Sequence, residues 1–179
     1  MTLRRFCQVC VSGLVLAWAT AGCAEGDAGE KQAVNLRDSP ARATTPYNAK
    51  VVEQLRANAT KPGVASADSG LLLLHTTGAR SGEPRLTPLA YLRDGDRLVV
   101  IASYGGAPKH PAWYHNLVAN PKVGVEVGAE QFYAQAAVAQ EPERARLFAK
   151  MAAKSPAFTT YQQKASPRVI PVVTLTRAP

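Results

Sequence analysis

The chain has 179 residues, enough for one domain with a buried core plus additional segments. Apolar residues make up 46% and charged residues 19%, a balance that excludes a disordered chain. The formal net charge of +8, from 21 Lys and Arg against 13 Asp and Glu, suits anionic partners. The positives are scattered rather than blocked, which excludes a surface built to grip nucleic acid.

The opening stretch MTLRRFCQVCVSGLVLAWATAGC carries Arg4 and Arg5, an apolar run from about Val9 to Ala19, and then small residues, the pattern of an export signal. It is too short and too weakly flanked for a membrane span. Thr20-Ala21-Gly22-Cys23 resembles a bacterial lipoprotein box, in which residues 1–22 are removed and Cys23 is lipidated. An ordinary signal peptide cut near Ala21–Ala24 is the other reading. The expected location is therefore outside the cytosol, lipid-anchored at the cell membrane. Loss of residues 1–22 removes two arginines and no acid, lowering the net charge from +8 to +6. All three cysteines, Cys7, Cys10 and Cys23, lie in this region, so the body has no disulfide framework, cysteine metal site or cysteine nucleophile. Residues 23–46 are small, polar and aperiodic and read as a flexible tether, with the folded domain at 47–179.

Helical spacing of Val51, Val52 and Leu55 predicts a helix over 48–58. LLLLHT, 71–76, reads as a buried strand, and 85–94 and 97–103 as a hairpin turned by Asp94-Gly95. Pro88 places its part of the first hairpin strand at an edge or bulge. A helix follows over 111–121, with Pro111 in its first turn and Asn120-Pro121 ending it. Strands over 122–128 and 130–139 form a second hairpin; helices over 142–154 and 157–164 and a strand over 168–177 complete the chain. Six strands at hairpin spacing with interleaved helices predict a small antiparallel barrel, mainly β, with helices across its openings.

Two connections carry unusual chemistry. TTGARSGEPR, 76–85, is not a P-loop, since it lacks Gly-Lys-Ser/Thr and leads into a strand. Its Gly78 and Gly82 permit close backbone approach, Ser81 offers a hydroxyl, and Arg80 and Arg85 offer forks suited to phosphate or carboxylate. A solvated hairpin loop is the alternative. ASYGGAPKHPAWYHN, 102–116, leaves a strand at Ser103 and enters a helix bearing Trp113, Tyr114 and Asn116. These aromatics either sandwich a planar ring or belong to the core. Together the two loops fit a planar cofactor with a phosphate tail. His75 reads as a core residue; His110 and His115, five apart, do not share a helical face, so no metal site is expected. Ser81 lacks a nucleophile elbow, and Glu83 and Glu126 show no sign of being a catalytic pair.

The combination T-T-G-x-x-S-G-x-P-R, hairpin, then W-Y-x-N-L-x-A-N-P resembles the deazaflavin (coenzyme F420)-dependent nitroreductase and quinone reductase family, from about Asn48 to Arg177. That resemblance implies a six-stranded antiparallel split β-barrel of the FMN-binding type with peripheral helices. It implies an oxidoreductase that uses reduced F420 to pass hydride to quinones or related planar acceptors. By resemblance, Arg80 and Ser81, with Arg85, Leu86, Thr87 and Pro88, hold the phosphate and tail. Ile101, Ala102, Ser103 and Tyr104 line the ring; Ala112, Trp113, Tyr114, His115 and Asn116 close the site. Hydride transfer is the cofactor's chemistry, and Ser103 and Tyr161 are the expected donors to a reacting oxygen. Two positions depart from the family pattern: Tyr104 stands where a lysine is expected, and Phe158 where the substrate pocket has a tyrosine. Phe158 and Tyr161 are then expected in that pocket. An FMN- or haem-binding split barrel and a non-enzymatic cofactor or lipid carrier are the other functions this pattern allows.

Overall fold

A computed structural model of the chain describes residues 35–43, 45–59 and 70–179, all within one compact unit. The export signal, Cys23 and the first part of the tether lie outside the described residues. The described elements are β1 (Arg42–Ala43), α1 (Pro46–Ala59), β2 (Leu71–Thr77), β3 (Pro84–Asp94), β4 (Arg97–Ile101), α2 (Ala112–Ala119), β5 (Lys122–Val127), β6 (Glu130–Val138), α3 (Glu143–Lys154), α4 (Ala157–Ala165) and β7 (Val172–Arg177). A 3-10 turn over Tyr104–Gly106 joins β4 to α2. Strand order is β1-β3-β2-β5-β6-β7-β4, and β4 pairs again with β3. Strands β2 to β7 thus close an antiparallel barrel, as the strand spacing predicts, and β1 adds a short parallel edge to β3.

Strands covered on both faces read as continuous apolar runs, because each side chain has a core to enter. In β2, Leu72 and Leu74 enter the barrel interior, while Leu73 packs outward with Val52 of α1 and Leu86. In β4, Leu98 and Val100 point inward, and Val99 and Ile101 join Leu147, Met151 and Phe158 beneath α3 and α4. Strand β6 is covered on one face only and alternates accordingly, with Phe132, Ala134 and Ala136 buried and Tyr133 and Gln135 exposed. Trp113 and Leu117 of α2 enter the barrel core. Outside the barrel, Asp94 in the β3–β4 turn accepts hydrogen bonds from Arg146 and Lys150 of α3 and from Arg97. Those cations hold its carboxyl well below the usual range, Arg146 most of all.

Pro88 pairs with Leu73 on one side of β3. On the other side β1 reaches only Leu86, and β4 begins only at Tyr91. The proline, which has no N–H to donate, therefore occupies a locally unpaired edge within a closed barrel. Three boundaries differ from expectation. Strand β4 stops at Ile101, where the Ser103 amide folds back to the Ile101 carbonyl. Strand β7 starts at Val172 rather than 168, because Pro171 cannot donate and its carbonyl accepts from the Ala102 amide outside any ladder. Residues 35–43, assigned to the tether by composition, instead lie on the barrel: the Gln131 side chain accepts from the Leu36 and Arg37 amides. Leu36 is buried against Gly124, where a Cβ would come within 2.9 Å of its Cδ2.

One buried carboxylate ties these layers together. Glu126, opposite Leu73 on the outer face of β5, lies 2.7 Å from His75 Nε2 and accepts from Arg56 of α1 at 2.5 Å and 3.2 Å. Arg37 stands 3.6 Å away. His75 is thus a hydrogen-bonded core residue, as its place in an apolar strand suggests. Burial pushes the Glu126 pKa up, but the hydrogen bonds from His75 and Arg56 outweigh it and bring it from 4.5 down to about 2. Because the folded value lies below the unfolded one, the group's stabilisation is full above its unfolded pKa and fades as pH falls toward the folded value. Glu126→Gln is expected to cost about 3 kcal/mol at pH 7, as it strands the arginines without a counter-charge. It should also flatten the dependence of Tm on pH between about 4.5 and about 2. Thermal melts of both proteins across that range check this; parallel curves would show that Glu126 does not govern the acid limb.

Candidate active site

The cleft at the unpaired edge of β3 has a volume of about 840 Å³, within the range of small-molecule sites. Other concavities among the described residues include a water-sized void beside Glu126 and a shallow recess of about 390 Å³ next to Leu36. Thr87 and Leu89 of β3 form one wall, and Ile101, Ser103, Tyr104 and Gly105 at the end of β4 form another. Pro111, Ala112, Trp113, His115 and Asn116 come from the start of α2; Gly78, Ala79, Arg80, Ser81 and Arg85 come from the β2–β3 loop. Thr45 and Asn48, at the start of α1, complete the rim and were not expected from sequence, since they precede any recognisable motif.

The β2–β3 loop is held by its own backbone. Gly78 donates to the Glu83 carbonyl at 2.8 Å, and Gly82 donates to the Gly78 carbonyl at 2.9 Å. A Cβ on Gly78 would meet the Ser81 hydroxyl at 2.5 Å, so the hydroxyl can fold over the turn only above a glycine. Asn116 couples this loop to α2: its amide oxygen accepts from the Ala79 N–H, and its NH₂ donates to the Thr76 hydroxyl. Asn116, expected among the residues closing the site, is thus also the joint between two walls. Arg85 is engaged by Glu83 at 2.8 Å, whereas Arg80 is exposed and has no acidic partner among the described residues. No acidic residue lines the cleft among those described.

The opposite end is apolar and aromatic, with Leu89, Ile101, Pro111 and Trp113, and Ser103 as its hydroxyl. Tyr104 stands there half-exposed with φ 51°, a left-handed backbone that an aromatic residue seldom adopts. Behind it, Gly106 packs on α4, where a Cβ would lie 2.8 Å from the Tyr161 carbonyl oxygen and 2.8 Å from Lys164 Cβ. This contact corrects part of the expected site. Tyr161 supports the back of the turn, and Phe158 is buried beneath α4, its ring edge-on to Tyr161 at 5.7 Å. Neither lines the cleft, unlike Ile101, Ser103 and Tyr104, expected around the ring. Leu86 and Ala102 are buried in packing, Pro88 faces the β2 ladder, and Tyr114 leans on His110 at 4.8 Å; these four also stay off the lining.

Sequence reasoning missed Arg168, which read as the start of a strand. Its guanidinium lies behind the same turn, donating to the carbonyls of Ala102, Ser103 and Ala107 and to His110 Nδ1. Burial lowers the Arg168 pKa, and burial followed by the charges of Arg168 and His115 lowers that of His110. A guanidinium can only donate, so His110 Nδ1 is the acceptor of their bond. The signal in the sequence is a lone arginine ahead of an apolar run with no acid nearby.

A cleft with arginines at one end and an apolar, aromatic end bearing the Ser103 hydroxyl defines a split-barrel reductase for a planar cofactor with an anionic tail. A family model for F420H(2)-dependent quinone reductases matches residues 48–177. An F420H(2)-dependent quinone reductase of Mycobacterium tuberculosis is 49% identical over 109 residues, covering 59% of this chain and 72% of that protein. A solved F420-H2 dependent reductase, FDR-A, is 36% identical with a TM-score of 0.55, covering 59% of this chain and 93% of the other. A structure described as a domain-swapped dimer is 34% identical with a TM-score of 0.58, covering 70% and 94%. The chain belongs to the F420H(2)-dependent quinone reductase family; it has the split-barrel fold, and its cofactor is reduced coenzyme F420.

Two substitutions test this arrangement. Gly106→Ala is expected to destabilise by about 2 kcal/mol or more, since the added methyl collides with backbone that cannot yield. Phe158→Tyr is expected to cost about 2 kcal/mol by placing a hydroxyl in an apolar cluster, with no change in acceptor preference. Thermal melts and steady-state rates with a quinone and a nitro compound check both; a gain in nitroreduction by Phe158→Tyr would restore that side chain to the pocket.

Proposed function

We propose that this chain reduces quinones or related planar acceptors with F420H2 while tethered to the cell membrane. The observation that carries the reading is the polarity of the cleft, cationic at the β2–β3 loop and apolar at the end of β4, within a family named for this reaction. The residues present fit the cofactor. Arg80, Arg85 and the Ser81 hydroxyl suit its phosphate and anionic tail, because charge-assisted bonds at a glycine loop are strong and well oriented. Ile101 and Trp113 offer a flat apolar bed for its ring, with the Ser103 hydroxyl on the same lining. Reduced F420, when bound, supplies a hydride and releases a proton, and a quinone that takes up both leaves as a hydroquinone.

The protein's part is to hold the two rings together and keep water from between them. An apolar wall favours a quinone ring, which buries without stranding polar groups. Membrane attachment rests on the export signal and on Cys23 in its lipoprotein-like box. A lipid anchor would hold the enzyme beside apolar quinones dissolved in the bilayer.

Equilibrium titration tests the cofactor site. F420 is expected to bind more tightly than FMN, whose single phosphate leaves part of the cationic end unused. Arg80→Ala is expected to raise the F420 Kd by about tenfold or more. Arg85→Ala should have a smaller effect, because Glu83 already competes for that guanidinium. FMN binding as tight as F420 would overturn the site assignment. Fractionation tests the anchor: Cys23→Ala is expected to move the protein out of the membrane fraction, and its retention there would mean that residues 1–22 act as an uncleaved anchor.

A further inference from the structure

Arg168 has five N–H groups and uses all five on the loop that forms the ring end of the cleft. Its Nη2 donates to the Ser103 carbonyl at 2.9 Å and the Ala107 carbonyl at 2.7 Å, and its Nε to Ala107 again at 3.1 Å. Its Nη1 reaches the Ala102 carbonyl at 3.2 Å and His110 Nδ1 at 3.2 Å. No carboxylate shares the guanidinium, so a half-buried charge is met by three backbone carbonyls and one imidazole nitrogen among the described residues. A residue needed only for packing would not call for a fully satisfied fork.

The fork has a geometric effect. A trans peptide is planar, so a carbonyl drawn toward Arg168 turns the N–H of the same unit to the opposite side. The Ser103 carbonyl points to Arg168, and the Tyr104 N–H therefore points away from it. The Tyr104 carbonyl is taken inside the turn by the Ala107 amide, which turns the Gly105 N–H outward as well. Neither amide donates to a protein acceptor among the described residues, and Ser103, Tyr104 and Gly105 all line the cleft.

We propose that Arg168 is a positioning residue for hydride transfer, holding the Tyr104 and Gly105 amides as a pair of donors at the ring end of the cleft. There they would face an acceptor oxygen that gains negative charge as hydride arrives, while the proton that completes reduction comes from solvent or from the cofactor's own release. The left-handed backbone of Tyr104 is the strain that this fork holds in place. The proposal rests on the reductase reading above.

The test compares wild type with Arg168→Gln and Arg168→Lys in three measurements. These are amide hydrogen exchange over residues 103–107 without cofactor, F420 titration, and kcat and KM with a soluble naphthoquinone. In Arg168→Gln, exchange is expected to quicken and kcat to fall, each by about tenfold or more. The F420 Kd should stay within about twofold, because the tail contacts at Arg80 and Arg85 are untouched. Lysine keeps the charge but lacks the planar fork, so Arg168→Lys is expected to rescue neither. Should the glutamine variant fail to fold, the lysine variant carries the same comparison. Full rescue by lysine, or faster exchange at wild-type kcat, would overturn the proposal. A wild type that takes up no F420 would instead overturn the reductase reading, and F420 bound normally with kcat unchanged in both variants would sink only the role of Arg168.

Discussion

The closed antiparallel barrel is interrupted along one side of β3, and the cleft lies at that interruption. Here that place is set by Pro88, which lacks the donor a second ladder needs and stands between the end of β1 at Leu86 and the start of β4 at Tyr91. The neighbouring Thr87 and Leu89 face the gap, and the loops from β2 and β4 close over it. Everything that looks functional in this molecule is arranged around that interruption. The two hairpins, the α2 plug and the outer helices give the rest of the barrel enough packing to tolerate it.

Much of this was legible in the residues. Apolar alternation and turn pairs located each barrel strand to within a few positions, and Pro88 announced its own edge. The two glycine-bearing loops were visible as the ends of one site because both combined tight turns with cations or aromatics. Their meeting across the cleft is a long-range fact, made physical by the Asn116 joint. What the sequence could not reveal depends on which face of a helix turns inward. Phe158 and Tyr161 share a motif with a substrate pocket, yet α4 turns Phe158 into the core and uses Tyr161 as a backstop for Gly106. Arg168 was hidden for a related reason: its partners are carbonyls, which every residue possesses, so no spacing advertises them.

Charge is divided between two sites with opposite logic. Around Glu126 one buried carboxylate gathers His75, Arg56 and Arg37, and the result is a structural knot. In the cleft, Arg85 shares Glu83 while Arg80 has no acidic partner among the described residues, so the cationic end stays only partly neutralised. The same residue types serve stability in one place and recognition in the other, and the difference lies in whether the protein supplies its own counter-charge.

The course of the N-terminal segment has a mechanical consequence. Before reaching Thr45 at the cleft rim, the chain is pinned at Leu36, whose side chain fits over Gly124 and whose amide is held by Gln131. This acts as a cable clamp. Force arriving along residues upstream of Asn35 is borne by strands β5 and β6, at the core of the sheet, before it can reach the two-residue pairing of β1 with β3. The cleft wall is thereby separated from any load entering at Asn35 by a side chain seated on the sheet and two backbone amides held by Gln131.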